Sequence, residues 1–325
     1  MKAAYLTETG SPDVIQFGDL EDPIAGPGQV LIETKAVSVN PIDTYVRAGK
    51  VAFELPQPFV PGCDAAGVVA AVGEGVDSFE AGDRVWCTNQ GLLGRQGTFA
   101  EKIAIDSSWC FPLPNSVDFE TAAANALVGV TAHLGLFRSA RLEPGETVLA
   151  IGGTGGVGSM VVQMAKAAGA TVITTGGSAE KCERAISLGA DHAIDYSQES
   201  IGEAVKRIAP AGVNVYWETR RDPDFELAID VLSQRGRMVL MAGRDARPEF
   251  PVGPFYVNEL SLHGFVMFKA TAIEMKRCAK DMRKWMKKGK LRASIAHRLP
   301  LSQAAEAHRL QETGDVGGKI VLTVD

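Results

Sequence analysis

Cysteine is sparse and unpaired in this sequence of 325 residues. Cys63, Cys87, Cys110, Cys182 and Cys278 are odd in number, widely scattered and contain no CxxC pair. No disulfide framework or structural zinc knuckle can be read from them, and a reducing cytoplasm fits best. Excess positive charge is also lacking: 33 Lys and Arg against 39 Asp and Glu leave −6, which argues against a protein built mainly to hold nucleic acid. The five histidines, His133, His192, His263, His297 and His308, show no HExxH or other metal-ligand spacing and read as ordinary surface or core residues. The N-terminal run reaches Glu8 before an apolar signal core can develop, so no export is expected. The 19-residue uncharged run Thr147 to Ala165 is interrupted by Gly152, Gly153, Gly155, Gly156 and Gly158, which argues against a membrane span. No internal repeat is evident.

What is present is ordinary globular composition, 46% hydrophobic and 22% charged, with length for two domains. The 35 glycines imply many places where backbone turns sharply or approaches something closely. Up to about Pro114, short alternating apolar segments are punctuated by Gly, Pro, Asn and Asp, among them Gln29 to Val39, Arg84 to Cys87 and Thr98 to Ile105; this half reads as a compact antiparallel β domain. From Thr147 onward, short apolar runs alternate with helical patterns. Strands are expected at Thr147–Ile151, Ala170–Thr174, His192–Ile194, Val213–Trp217, Arg237–Met241 and Ser261–Phe265. Helices are expected at Gly156–Ala168, Ala179–Ser187, Glu199–Ile208 and Asp224–Ser233. The fold class is α/β, a doubly wound parallel sheet beside a mostly antiparallel β domain. A further amphipathic helix is expected over Ala272 to Lys290, then strand-like runs at Ile295–Leu299 and Lys319–Val324 that rejoin the first domain. The resulting boundaries are 1–122, 123–266 and 267–325.

The strongest motif follows the first of these strands: Gly152-Gly153-Thr154-Gly155-Gly156-Val157-Gly158 contains GxGxxG between a strand and a helix. In this reading Gly153 permits the tight turn, Gly155 lets backbone approach a pyrophosphate, and Gly158 lets the helix pack on the strand, with Gly156 and Val157 opening the helix. The second strand lacks the acid that would bond a ribose 2′-hydroxyl. Ser178 and Lys181 stand there instead, which favours the 2′-phosphate of NADPH. Alternatively, Ser178 is a plain helix cap and Lys181 a solvated helix residue.

In these features the sequence resembles the medium-chain dehydrogenase/reductase superfamily, and within it the zinc-free, zeta-crystallin-like quinone oxidoreductases. The resemblance runs through Asn40-Pro41-Ile42-Asp43-Thr44-Tyr45-Val46-Arg47-Ala48-Gly49, Pro61-Gly62-Cys63-Asp64-Ala65-Ala66-Gly67, Gly82-Asp83-Arg84-Val85, the glycine loop, Leu188-Gly189-Ala190-Asp191 and Gly236-Arg237-Met238-Val239. It implies a GroES-like β domain joined to a Rossmann domain, and a homodimer. Where the zinc-dependent branch would place a cysteine and a His-Glu pair, this chain has Asn40 and Cys63-Asp64, and no metal is expected, because a catalytic zinc needs three protein ligands.

Without a metal to polarise an isolated carbonyl, a conjugated acceptor is favoured, a quinone or an α,β-unsaturated carbonyl, since charge then develops on an oxygen that hydrogen-bond donors can stabilise. The resemblance implies Asn40 as a positioning amide, Tyr45 as donor to the substrate oxygen, and Arg47 beside them. It implies Thr131 at the carboxamide, Tyr196 with Ser178 and Lys181 at the 2′-phosphate, and Gly243 with Val266 to Phe268 bordering the nicotinamide. A basic contact of the family near the C terminus has no match in Gly314-Asp315-Val316-Gly317, which leaves Lys319 for that role. Tyr45 reads equally as an aromatic packed at a domain edge, and Thr88 to Gly97 as a lid or a plain hairpin connection. The stretch Lys276 to Arg292, nine Lys or Arg against one acid, reads as a solvated face; no aromatic platform accompanies it, so a nucleic-acid partner is not expected. Two alternatives stay open: an NADH-using zinc-free dehydrogenase, and a non-catalytic, crystallin-like or RNA-binding dinucleotide binder.

Overall fold

The structure, a computed structural model, describes residues 1–51, 53–314 and 316–324. The chain divides into two compact units, one formed by Met1–Leu127 together with everything from Phe268 onward, the other by Val128–Met267.

In the first unit, strands β1 (Lys2–Tyr5) and β2 (Gln16–Asp19) form a two-stranded ribbon. Strands β3 (Gln29–Val39), β4 (Asp64–Val72), β5 (Arg84–Cys87), β6 (Lys102–Asp106) and β7 (Cys110–Pro112) follow, with helix α1 (Pro41–Arg47) after β3; helix α2 (Phe119–His133) follows β7, and its residues from Val128 onward belong to the second unit. The eleven-residue β3 is central and pairs antiparallel with both β4 and β6. Alternate residues of β3 face inward, Val30 and Ile32 among them, and meet Val69, Val85, Ile103 and Ile105 in the core. Burial of each such side chain stabilises the unit by about 1.5–3 kcal/mol. The expected strand from Thr98 begins only at Lys102, because Thr98 turns inward and its hydroxyl donates to the Asp64 carbonyl at 2.9 Å.

The second unit holds β8 (Thr147–Ala150), α3 (Gly156–Ala167), β9 (Thr171–Gly176), α4 (Ala179–Ser187), β10 (His192–Asp195), α5 (Ile201–Ile208), β11 (Val213–Glu218), α6 (Phe225–Val231), β12 (Leu232–Leu240), α7 (Val252–Val257) and β13 (Ser261–Gly264). The six strands are parallel in the order β10-β9-β8-β11-β12-β13, so the winding reverses between β8 and β11. Ligands of such sheets sit beyond the carboxyl ends of the strands at that reversal. One boundary differs from expectation. Helix α6 stops at Val231 rather than Ser233 because Leu232 turns to an extended ψ of 136°, and β12 begins there. Its register then slips between the Val213 and Val215 pairings, at a turn where Arg235 takes φ 62°.

The remainder of the first unit comprises α8 (Ala272–Lys287), β14 (Ile295–Pro300), α9 (Ala304–Thr313) and β15 (Lys319–Thr323). Met275, Cys278, Ala279, Met282 and Met286 form the buried stripe of α8, while Lys276, Arg277, Lys280, Arg283 and Lys284 are exposed. The helix ends at Lys287 instead of Lys290, with Gly289 in the left-handed region. Strand β15 pairs antiparallel with β3 and carries β14 on its other side, adding the C-terminal residues to the first sheet. No helix among the described residues is long and apolar enough to cross a membrane.

Candidate active site

The glycine loop lies in the second unit at the reversal of the sheet. Gly152 has φ +73°, so the tight turn falls on Gly152 and not on Gly153, as the motif alone suggested. Gly153 is required for a different reason: a Cβ there would lie 2.1 Å from Thr174 Oγ1, and that hydroxyl bonds the Ala150 carbonyl at 2.6 Å, tying β9 to β8. At Gly158 a Cβ would lie 2.1 Å from the Gly152 carbonyl, which sets how closely α3 approaches the loop. Gly155 is unlike either. Its nearest neighbour would be Gly152 O at 3.5 Å, so its space is open. Gly155 caps α3, and Gly156, Val157 and Gly158 supply first-turn N–H groups without intrahelical partners. Arg184, which the sequence did not single out, donates to the Thr154 carbonyl at 3.3 Å from α4.

At the end of β9 the structure gathers three of the expected residues. Ser178 caps α4, its hydroxyl accepting the Lys181 N–H at 3.3 Å, and Lys181 is exposed. A Cβ on Gly177 would lie 2.5 Å from the Tyr196 hydroxyl, which places that half-exposed tyrosine over the Gly176-Gly177 backbone. Further along the same sheet, Gly243 follows β12 with φ +81° against the Arg221 carbonyl, and Val266, 40% exposed, follows β13. Thr131 is buried on α2 in the same unit.

Sequence reading also missed a buried charge at the carboxyl end of β11. Glu218 is fully buried and takes Arg220 Nε at 3.0 Å and Nη2 at 2.7 Å, while Arg220 also donates to the Tyr216 hydroxyl at 3.1 Å. Hydrogen bonding to Glu218 raises the arginine pKa, and burial, followed by the glutamate's charge, raises that of Tyr216. Next in the chain, the Thr219 hydroxyl donates to the Ile151 carbonyl at 2.7 Å, so this cluster braces the glycine loop. An acid directly after an apolar strand and followed by two arginines was the available signal.

In the first unit the residues expected at the reacting centre take other roles. Asn40 is fully buried: Nδ2 donates to Asp64 Oδ2 at 2.9 Å and towards Ser38 O at 3.4 Å, and Oδ1 accepts Lys319 Nζ at 2.5 Å. The amide is thus engaged on both sides inside the unit. Arg47 is 1% exposed, donates to the Gly10 carbonyl at 2.8 Å and forms an ion pair with Glu312. It ties α1 to α9, and its guanidinium is engaged on these two partners. Lys319 does not reach for a phosphate either, since its ammonium is buried against Asn40 and the Val39 carbonyl, at 2.9 Å. In Gly314 to Gly317, Asp315 lies outside the described residues. Tyr45 is half-buried on α1, and Phe268 meets Phe53 edge-on with centroids 5.9 Å apart.

Around Lys319 the titratable groups are strongly shifted. Burial raises Asp43 to about 7 against the hydrogen bond from Cys63, and burial likewise raises Asp64 and the Cys63 thiol. Burial lowers Lys319, opposed by the charges of Asp64 and Asp43. A protonated thiol, an engaged amide and an ammonium form a donor set that does not fit a zinc ion. Among the described residues no group of three His, Cys, Asp or Glu could hold a metal.

A β unit carrying this cluster and a nucleotide-type parallel sheet with its glycine loop define a dehydrogenase/reductase of the medium-chain class. Residues 26–115 match the alcohol dehydrogenase GroES-like domain, and residues 156–286 match the family described as zinc-binding dehydrogenase. The chain is 32% identical to the quinone oxidoreductase of Lama guanicoe over 99% of its own length and 97% of that protein's. It superposes on a crystal structure described as an NAD-dependent alcohol dehydrogenase with a TM-score of 0.91 at 32% identity, each chain fully covered. Escherichia coli quinone oxidoreductase complexed with NADPH superposes with a TM-score of 0.86 at 28% identity, again with both chains fully covered. The chain belongs to the quinone oxidoreductase family of the medium-chain dehydrogenase/reductase superfamily, and it is an oxidoreductase.

Proposed function

We propose that this oxidoreductase uses NADPH to reduce a quinone or an α,β-unsaturated carbonyl, without zinc. The carrying observation is the contrast within the glycine loop: Gly153 and Gly158 are closed in by their neighbours, whereas Gly155 is open at the start of α3. That is the arrangement a pyrophosphate requires. Bound there, NADPH would supply the hydride. The N–H groups of Gly156, Val157 and Gly158 would hold the pyrophosphate, and Ser178, Lys181 and Tyr196 the 2′-phosphate. Thr131, Gly243, Val266 and Phe268 are the residues proposed to border the nicotinamide. Tyr45 is proposed as donor to the substrate oxygen, where charge develops on reduction. The buried ammonium of Lys319 supports the zinc-free reading, because it already supplies positive charge beside Asn40, Cys63 and Asp64.

The test follows loss of nicotinamide absorbance with purified protein, NADPH or NADH, and a panel of quinones and enones. Turnover with NADPH is expected; silence with every acceptor contradicts the reading. Lys181→Ala is expected to weaken NADPH about tenfold and leave NADH unchanged. Tighter binding of NADH than of NADPH, with no effect of Lys181→Ala on NADPH, would instead favour the NADH reading, to which the likeness to an NAD-dependent dehydrogenase and the capping role of Ser178 lend support. Tight cofactor binding with salt-dependent RNA retention and no turnover would favour a non-catalytic binder. Four of the five cysteines are buried and all are free, which suits the proposed cytoplasmic setting.

A second copy of this chain is the proposed protein partner. Strand β13 is an edge of the parallel sheet, and Leu262 on it, with Val252, Tyr256 and Val257 on α7, is exposed. Exposed edge strands and apolar patches of this kind favour pairing with another chain. Light scattering is expected to report a dimer that Leu262→Asp with Val257→Lys converts to a monomer; an unchanged mass would remove this edge as the contact.

A further inference from the structure

Lys319, the first residue of β15, ties its strand to the end of β3 and, through Asn40, to Asp64 at the start of β4. Its ammonium donates to the Val39 carbonyl at 2.9 Å and to Asn40 Oδ1 at 2.5 Å. An ammonium has donors only, so this contact decides which end of the Asn40 amide faces it. Nδ2 is thereby turned onto Asp64 Oδ2 at 2.9 Å. Asp64 is held in turn by the Thr88 hydroxyl at 2.7 Å, the Ser38 hydroxyl at 3.2 Å and the Leu127 N–H at 3.3 Å. The Asn40 backbone N–H donates to Asp43 Oδ2 at 2.8 Å, fixing the first turn of α1, and Asp43 also takes the Cys63 thiol.

Helix α1 has only seven residues, too few to keep its orientation through its own hydrogen bonds. Its start is set by the ends of β3, β4 and β15 meeting around one buried cation. Its far end is set by Arg47 on Gly10 and Glu312. Tyr45 lies between the two anchors.

We propose that Lys319 is a positioning residue for the reaction: by fixing the Asn40 amide and the first turn of α1, it sets the placement of the Tyr45 hydroxyl. The inference rests on the reading of Tyr45 as donor to substrate. It accounts for a lysine kept inside the unit, where an unpaired charge is costly.

The experiment uses the full chain and compares wild type with Lys319→Met, Lys319→Gln and the charge-neutral pair Asp64→Asn, Lys319→Met. The acceptor that wild type reduces fastest gives kcat and KM; fluorescence titration gives the NADPH Kd; thermal unfolding reports folding. Lys319→Met is expected to lower kcat at least tenfold with the NADPH Kd within twofold of wild type. Lys319→Gln, which keeps a donor for Asn40 Oδ1, is expected to recover part of that loss. If Lys319→Met does not fold, the neutral pair decides, and its kcat is expected to stay at least tenfold low. A folded variant lacking the lysine with wild-type kcat overturns the inference, as does a loss of kcat matched by an equal loss of NADPH affinity. Absence of turnover by wild type itself is a separate result and speaks against the proposed reaction.

Discussion

Gly155→Val is expected to leave the protein folded while raising the Kd for NADPH at least a hundredfold, as measured by fluorescence titration beside thermal unfolding. The backbone at Gly155 is extended, with φ −71° and ψ 172°, a conformation valine adopts without strain. Its Cβ would meet nothing closer than 3.5 Å, so the folded state loses little. The added methyl groups would stand at the cap of α3, where phosphate oxygens must come within hydrogen-bond distance of backbone N–H groups. A hundredfold loss corresponds to about 2.7 kcal/mol, the size expected for losing two or three charge-assisted hydrogen bonds. Gly158→Ala should behave in the opposite way. Its Cβ would lie 2.1 Å from a backbone oxygen that no rotamer change can move, so stability should fall by about 1–3 kcal/mol. Equal affinity in wild type and Gly155→Val would remove the loop as the pyrophosphate site.

His308→Leu should change the pH dependence of stability more than any surface substitution. The imidazole is fully buried on α9, edge-on to Phe99, and among the described residues neither ring nitrogen has a hydrogen-bond partner. Burial, with a further contribution from Arg47, lowers its pKa from 6.5 to about 3. A histidine depressed in this way contributes stability that is complete above pH 6.5 and is lost as pH falls toward 3. Asp43 acts with the opposite sign: raised to about 7, it contributes stability that is complete below 3.8 and is lost as pH rises through 7. Between about pH 4 and 6.5 the two slopes, each about 1.4 kcal/mol per pH unit, largely cancel in wild type. Without the histidine its opposing slope is gone while those of Asp43 and of Asp64, which burial also raises, remain, so His308→Leu should lose stability steadily as pH rises from 4 to 7. Denaturant midpoints at pH 4, 5, 6 and 7 measure this; parallel profiles for the two proteins would contradict it.

The parallel sheet was legible because each of its strands is a short apolar run between helical patterns, and the length of such a run is visible in one dimension. The glycine motif was legible for the same reason, being contiguous. Its internal division of labour was not, since the neighbour that crowds Gly153 is Thr174, on the next strand. The first unit was harder to read. Asn40 and Arg47 are polar residues in a stretch that resembles a cleft lining, Lys319 is a lone C-terminal lysine, and nothing in their spacing reveals that Asn40 and Lys319 face a buried cluster and Arg47 faces Glu312. Glu218 and Arg220 were overlooked because an acid at a strand end reads as solvated until its burial is known.

Order along the chain thus determined the sheet of the second unit, the strand-loop-helix that carries its glycine motif, and the absence of an acid at the end of β9, because these depend on local propensity and on residues close in sequence. Only the tertiary structure decided which polar side chains turn inward, since that depends on partners 279 residues apart, as for Lys319 and Asn40. A buried charge persists only where such partners satisfy it, and the contact between β15 and the end of β3 provides them here.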